Sequence, residues 1–206
     1  MKKFFKIIGA LFILGVVASA IKGHNGNSPN SGSSKGLDQS NVAQVTPAIQ
    51  LPNDEAQFIG IVQKAQQANQ STENDLQKGG VRATREKELC SALSGLNVSN
   101  WVGEIHELTS NTDGKGVLAI KIASDTYVQT WNNSLSDITD NTLIDPNSPL
   151  FTKASKLKAG QTVKFSGSFF RSSDDSIGCL SESSLTLDGK LSAPEFVFRF
   201  SDITSP

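Results

Sequence analysis

The side chains of this chain that could do chemistry are few and widely spread. Two histidines occur, His24 near the N-terminus and His106 in a segment with strand-like alternation. A hydrolytic triad would need His106 beside a serine nucleophile and a carboxylate, and no motif around His106 supplies such a pair. We therefore interpret His106 as an exposed strand residue and expect no catalytic residue and no enzyme.

Three aspartates, Asp137, Asp140 and Asp145, lie in one polar connection where carboxylates could bind calcium. Their spacing lacks the alternating ligands, the central glycine and the closing glutamate of an EF-hand loop. Aspartates also cap helices and stabilise turns, because their side chains accept hydrogen bonds from nearby backbone N–H groups. That explanation accounts for all three residues, and we expect neither a metal site nor a cofactor.

Tyr127 and Trp131 are the aromatic residues least tied to a core pattern. The phenylalanines of the C-terminal half instead recur at alternating positions, as buried strand residues do. We predict Tyr127 and Trp131 as ligand-binding residues that line a groove on the face of the β-structure. The alternating phenylalanines are Phe165, Phe169, Phe196, Phe198 and Phe200.

A basic cluster is formed by Lys153, Lys156, Lys158 and Lys164. A single-stranded nucleic-acid binder would interleave such charges with exposed aromatics, but the phenylalanines here have core spacing. The net charge is −1, and loss of the first 20 residues leaves 16 basic residues against 20 acidic ones. A mildly acidic domain is poorly suited to phosphate contacts. We interpret the lysines as solvated and nucleic acid as a poor candidate partner.

Residues 1–22 have the composition of a signal peptide or an N-terminal membrane anchor. Basic residues up to Lys6 precede an uncharged apolar run, Ile7 to Ile21, which is the order found in secretory signals. Small residues permit cleavage after Ala20. The alternative is a retained anchor, since flanking residues can extend a run shorter than the ~20 residues of a spanning helix. Both predict a periplasmic or otherwise extracytoplasmic domain, attached to the inner membrane if the segment is retained.

Cys90 and Cys179 are the only cysteines. Two cysteines commonly pair in an oxidising compartment, and a disulfide here would join a helix to the following domain. The alternative is that both are small apolar packing residues. The sequence leaves both possibilities open.

Hydrophobic periodicity divides the chain into four segments. Helical spacing changes to strand-like alternation after Gly95, and Gly79-Gly80 is expected to separate two helices, the second running from Val81 to Leu93. The segments are a signal peptide or anchor at 1–22, a flexible Gly/Ser/Asn-rich linker at 23–52, a helical segment at 53–95 and a β-rich domain at 96–206.

The order of elements in the β-rich domain predicts an all-β fold. We expect an OB-fold-like antiparallel barrel of five to six strands, with a short helix at 149–157 between strands three and four, preceded by one or two helices. A strand at 177–187 and a hairpin turn at Asp188-Gly189 are expected before the last strand.

Several short stretches resemble a family of bacterial, exported OB-fold proteins of unknown function, grouped with tRNA-anticodon-binding-like OB domains. The resemblance covers about residues 85–203 and implies a fold without supplying a catalytic residue. The stretches are Asn100-Trp101-Val102-Gly103, Leu157-Lys158-Ala159-Gly160-Gln161-Thr162-Val163-Lys164-Phe165-Ser166-Gly167, Glu182-Ser183-Ser184-Leu185-Thr186 and Pro194-Glu195-Phe196-Val197-Phe198-Arg199-Phe200.

The function expected from these features is a non-enzymatic binding module of the bacterial envelope, recognising a protein, peptide or small ligand through the barrel. A nucleic-acid-binding OB domain is the first alternative, and an enzyme with an unrecognised site is the second. Fold alone cannot choose among them, because function resides in sites grafted onto folds.

Overall fold

The fold is taken from a computed structural model, which describes residues 50–173 and 178–206. The predicted signal or anchor at 1–22 and nearly all of the predicted linker at 23–52 lie outside the described residues. Among the helices of the described residues, none is long and apolar enough to cross a membrane.

Four helices and five strands are present in the described residues. The helices are α1 (Asn53–Gln70), α2 (Asp75–Ala92), α3 (Pro149–Ala154) and α4 (Leu187–Ser192). The strands are β1 (Asn97–Ser110), β2 (Gly116–Ala123), β3 (Thr126–Gln129), β4 (Thr162–Phe169) and β5 (Glu195–Thr204).

The strands form a closed barrel in the order β1-β2-β3-β5-β4, and β4 returns to pair with β1. A barrel of five to six strands was predicted, and a barrel of five strands is present. The expectation that every pair is antiparallel was wrong, because β3 and β5 run parallel. Five strands in a ring cannot alternate direction throughout, since an odd number leaves one neighbouring pair pointing the same way.

The strand predicted at 177–187 is not a sixth strand. In its described part, only isolated bridges occur, Arg171 with Leu180 and Glu182 with Phe196. The Asp188-Gly189 pair lies inside α4 rather than in a hairpin turn, because the Thr186 hydroxyl accepts the Gly189 N–H and caps that helix.

Gly79-Gly80 was expected to interrupt the helical segment, and this was also wrong. Both glycines lie inside α2, which begins at Asp75. Asn74 is the N-cap of this helix, because its side chain accepts a hydrogen bond from the Gln77 N–H at 3.1 Å. The helical break falls earlier, at 71–74, where this N-cap starts a new helix. Neither glycine has a neighbour within 4 Å of its would-be Cβ, so both are tolerated on an open helix face.

The alternating side chains of β4 and β5 help to fill the interior of the barrel and form part of its core. Phe165, Phe196, Phe198 and Phe200 are all buried, as their spacing predicted. Phe58 of α1 is fully buried beside this cluster, with its ring centroid 5.0–5.4 Å from those of Trp101, Phe169 and Phe196. Helix α1 therefore covers the barrel end where β1 and β5 begin and β4 ends.

Candidate functional site: a cleft on the face of β1, β2 and β3

A β-bulge in β1 creates the most distinctive surface of the barrel. The β1–β2 register passes from Ile105 opposite Ile120 to Glu107 opposite Ala119, so His106 is an extra residue without a partner. A bulge re-aims the side chains around it. Both His106 and Glu107 are consequently exposed on the outer face, although neighbouring strand residues normally point to opposite faces.

The re-aimed His106 ring contacts the ring of Tyr127 on β3. The two centroids lie 4.7 Å apart and the planes are tilted by 49°, within the range favoured by aromatic pairs. Tyr127 is half-buried and is held by its ladder pairs with Lys121 on β2 and Glu195 on β5. Tyr127 is therefore fixed by backbone pairing on both sides, and His106 packs against it from the bulge.

An open cleft of about 410 Å³ surrounds this aromatic pair. We call it the strand-face cleft. It is lined by residues of β1, β2, β3 and the start of β5, together with three residues outside these strands, Thr130, Asn132 and Ala193. The lining residues are His106, Glu107, Val117, Leu118, Ala119, Tyr127, Gln129, Thr130, Asn132, Ala193 and Glu195.

Two residues of the cleft lining, Gln129 and Glu195, form a hydrogen-bonded group with Ser183, which lies outside the lining. The Ser183 hydroxyl donates to Glu195 Oε2 at 2.7 Å, and the Gln129 amide donates to the same oxygen at 3.1 Å. The Gln129 amide also donates to Ser183 Oγ at 2.8 Å. This network fixes the Glu195 carboxylate in one orientation at the start of β5.

The segment that carries Ser183 is held in place by a buried ion cluster. Arg85 of α2 donates from Nη2 to Glu86 Oε1 at 2.5 Å and to Glu182 Oε1 at 2.8 Å, and all three side chains are almost fully buried. Glu86 also accepts the Cys179 N–H at 2.6 Å. Burial raises the pKa of Glu182, against the opposing effect of Arg85. Such a cluster is costly to break, because removing one member leaves an uncompensated buried charge.

A disulfide between Cys90 and Cys179 anchors the same segment, with a Cα–Cα separation of 5.5 Å. Of the two possibilities that the sequence left open for these cysteines, the disulfide is the one present. Together with the ion cluster, it ties the segment that carries Ser183 to α2, and the two cysteines are 89 residues apart in the sequence. Ser183 then continues the segment along β5, where its N–H donates to the Glu195 carbonyl at 2.9 Å.

Of the two residues predicted to bind ligand, Tyr127 lines the cleft and Trp131 does not. Trp131 is half-buried, and its indole N–H donates to Asp140 at 2.8 Å. The Trp131 ring is therefore held by a hydrogen bond to the connection that follows it, residues 132–141. Sequence reasoning missed Glu195 and the contact between His106 and Tyr127. Two consecutive polar residues at His106 and Glu107 interrupt the strand alternation, and this was the available signal for the bulge.

The aspartates of the long connection stabilise their own loop. The buried Asp137 carboxylate accepts the Thr142 N–H at 2.5 Å, the Thr142 hydroxyl at 2.7 Å and the Leu143 N–H at 3.1 Å. Asp140 accepts a hydrogen bond from the Trp131 indole N–H, and Asp145 accepts one from the Asn147 N–H at 2.8 Å. Within the described residues, no group of acidic, histidine or cysteine side chains is arranged to hold a metal ion.

A second groove lies between the outer faces of α1 and α2. It is larger, about 770 Å³, but shallow, and the ion pair between Lys64 and Glu88, 2.6 Å long, lies in it. Two of the three charged residues that line this groove therefore already form an ion pair with each other. The strand-face cleft differs because it combines exposed rings with a fixed carboxylate.

The polar groups of the cleft do not form a catalytic triad. The Ser183 hydroxyl is bonded to a carboxylate rather than to an imidazole. Across residues 50–173 and 178–206, His106 makes no hydrogen bond to a hydroxyl or a carboxylate, and its ring contact is with Tyr127. Nucleophilic catalysis needs a base within hydrogen-bond reach of the nucleophile, and the Ser183 hydroxyl and the His106 ring are not placed in this way.

Comparison with known proteins found no matching family model, no matching curated protein and no matching solved structure.

Proposed function

We propose that this chain is a non-enzymatic binding module of the bacterial envelope, in which an OB-like barrel holds a protein, peptide or small ligand in the strand-face cleft. The observation that carries the proposal is the His106–Tyr127 ring pair, presented at 4.7 Å in an open cleft by a bulge in β1. Bulges recur beside binding sites because they re-aim side chains, and exposed aromatics supply contact area at little conformational cost.

The assignment of the barrel as an OB fold is part of this proposal. The strand order β1-β2-β3-β5-β4, the closure of β4 onto β1 and the helix between β3 and β4 in sequence support it. OB folds bind their ligands on the face of strands 2 and 3. The strand-face cleft lies on the corresponding strands.

The proposed location in the envelope depends on the N-terminal signal or anchor pattern and on the disulfide. Disulfides persist in oxidising compartments and are rare in the cytosol. The pairing of Cys90 with Cys179 therefore supports an extracytoplasmic location for the domain.

Nucleic acid and catalysis are the alternative functions. The charged residues that line the cleft are Glu107 and Glu195, which would repel phosphate groups. Catalysis would require His106 to act on a bound substrate without a hydroxyl or carboxylate partner. Both alternatives make different predictions for the same binding experiment.

The test is a titration of the isotope-labelled full chain, followed by backbone NMR, with a capped tripeptide, a neutral trisaccharide and a single-stranded decanucleotide as probes. We expect the peptide or the saccharide to shift the amides of His106, Tyr127 and Gln129. Tyr127→Ala should abolish these shifts. Trp131→Ala is the matched aromatic comparison and should preserve them, which would assign the site to Tyr127 alone.

Three outcomes would overturn the proposal. The first is that no probe shifts cleft amides. The second is binding of the decanucleotide through Lys153 and Lys156, which would favour nucleic acid. The third is chemical conversion of a probe that is lost in His106→Ala, which would favour an enzyme.

A further inference from the structure

We infer that the strand-face cleft binds a positively charged group, an ammonium or guanidinium carried by a peptide side chain or by a small polyamine. This inference rests on the proposed function, because it names the chemistry of the ligand for the same cleft. Its first support is charge. Both charged residues in the lining, Glu107 and Glu195, are carboxylates, and the lining contains no lysine or arginine.

The Glu195 carboxylate is positioned as a cation acceptor. Both of its hydrogen bonds, from Ser183 and from Gln129, fall on Oε2. Within the described residues, Oε1 accepts no hydrogen bond. A carboxylate held on one oxygen and open on the other can bind a cation without first losing side-chain freedom, which lowers the entropic cost of binding. Hydrogen bonds between charged partners are also the stronger kind.

The aromatic pair adds a second contribution to cation binding. Tyr127 pairs directly with Glu195 in the β3–β5 ladder, so the phenol ring and the carboxylate neighbour each other on the barrel. A cation over the face of a tyrosine ring is attracted by the negative ring face. An ammonium bound at Glu195 therefore has the Tyr127 ring beside it, and a contact with that ring would favour an organic cation over a hydrated metal ion.

Glu107 provides a second carboxylate on the opposite side of the ring pair. The bulge exposes it next to His106, and among the described residues it has no ion-pair partner. The nearest lysine of the ladder is Lys121, which pairs with Tyr127 on one side and with Glu104 on the other. Lys121 is outside the cleft lining. Carboxylates thus outnumber cations on this face.

The experiment measures binding of the full chain to three capped tripeptides that differ only in the central residue, which is lysine, norleucine or glutamate. Norleucine keeps the methylene chain and removes the ammonium. We expect the lysine peptide to bind at least about fivefold more tightly than the norleucine peptide, as one favourable charge contact implies. The glutamate peptide should bind most weakly. An arginine peptide and spermidine, titrated alongside, distinguish a peptide source from a polyamine source.

Charge-neutral variants locate the site. Glu195→Gln should weaken the lysine peptide at least about fivefold. Glu107→Gln is a second variant. Glu107 is exposed, and in the described part of the chain its side chain makes no hydrogen bond, so this variant tests the same idea without disturbing the hydrogen bonds of Glu195. Glu73→Gln is the control, because it removes the same charge from an exposed position outside the cleft. It should leave binding unchanged.

The outcomes separate the cation inference from the proposed function. Equal binding of the lysine and norleucine peptides, or unchanged binding in both cleft variants, would overturn the cation inference. If a neutral trisaccharide still shifts the cleft amides and Tyr127→Ala removes that binding, the proposed function stands without it. Absence of binding by every cation tested overturns the cation inference as well.

Discussion

The buried carboxylate of Glu55 on α1 accepts the backbone N–H of Val102 on β1, with 3.0 Å to Oε1 and 2.9 Å to Oε2. Val102 follows directly after the irregular part of the β1–β4 register, which falls between Val98 and Trp101. A helix side chain thus bonds an amide of the barrel wall. The neighbouring Asp54 accepts the Trp101 indole N–H at 3.0 Å. Two consecutive acidic residues of α1 therefore fix the helix to the strand by hydrogen bonds.

The first prediction concerns the pH dependence of stability. Burial raises the pKa of Glu55 to about 7, although the Val102 N–H opposes this shift and Asp54 adds to it. The ordinary value is 4.5, so the folded protein binds this proton more tightly than the unfolded chain. The contribution of protonated Glu55 to the free energy of unfolding is then fully present below pH 4.5, and it is lost as the pH rises to about 7. The loss is at most about 3 kcal/mol.

Glu55→Gln separates this effect from the others. Glutamine keeps an oxygen that can accept the Val102 N–H but does not titrate. Denaturant unfolding of both proteins between pH 4 and pH 8 should show a smaller loss of stability in Glu55→Gln. A shallow slope should remain, because burial also raises the pKa of Glu182. Identical pH profiles for the two proteins would contradict the prediction.

The second prediction concerns the phenylalanine core. Phe198 is fully buried, and its ring centroid lies 4.9 Å from those of Phe169 and Phe200. Phe198→Ala should lower the free energy of unfolding by about 3–5 kcal/mol, because it removes a buried ring and leaves a cavity. Leu185→Ala is the control, since Leu185 is 98% exposed. It should change stability by less than about 0.5 kcal/mol.

The sequence predicted this core and the barrel, because both depend on local alternation. Phe196, Phe198 and Phe200 alternate without interruption, and their burial follows from strand geometry alone. The stretch 178–186 was harder to predict, because its path is set by partners distant in sequence. Glu182 pairs with Arg85, 97 residues earlier, and Cys179 pairs with Cys90. No local pattern encodes such contacts.

The site could be predicted only in part for a similar reason. Tyr127 stood out because its position did not fit a core. Glu195 joins it only through the parallel β3–β5 pairing, which depends on how the whole barrel closes. The contact of His106 with Tyr127 needs the bulge in β1. Trp131 was equally prominent in the sequence, but its bond to Asp140 directs it elsewhere.

The third prediction compares two glycines. A Cβ at Gly167 would lie 2.5 Å from Phe198 Cε1 and would also collide with the Arg199 carbonyl oxygen. Gly167→Ala should therefore destabilise the barrel by about 1–3 kcal/mol. Gly79→Ala should instead stabilise the protein by about 0.5–1 kcal/mol, because Gly79 lies inside α2 with open space around it. Thermal unfolding of both variants measures the contrast, and changes of the same sign would contradict it.

The fourth prediction concerns location. The basic start and the apolar run from Ile7 to Ile21 should export whatever follows them. A reporter that becomes active only after export should be active when fused after Pro206. Deleting residues 1–22 from the same fusion should abolish its activity. A reporter that works only in the cytoplasm serves as the reverse control, and its activity in the intact fusion would contradict the proposed address.

The last prediction connects location to stability through the disulfide. The bond between Cys90 and Cys179 closes a long loop, and its loss should cost about 2–4 kcal/mol, since the open chain gains conformational freedom on unfolding. Reductant should therefore lower the melting temperature of the exported protein. The Cys90→Ala/Cys179→Ala double variant should melt near the reduced protein and should not respond to reductant.

Thiol labelling tests where this bond forms. Denatured, unreduced protein from the envelope should react at neither cysteine, because both are joined. Protein that lacks residues 1–22 and stays in the cytoplasm should react at both, because cytosolic thiols are kept reduced. Two reactive cysteines in the envelope protein would show that the bond does not form there. The segment that carries Ser183 would then be held to α2 by Arg85 and Glu86 and to β5 by its backbone hydrogen bonds.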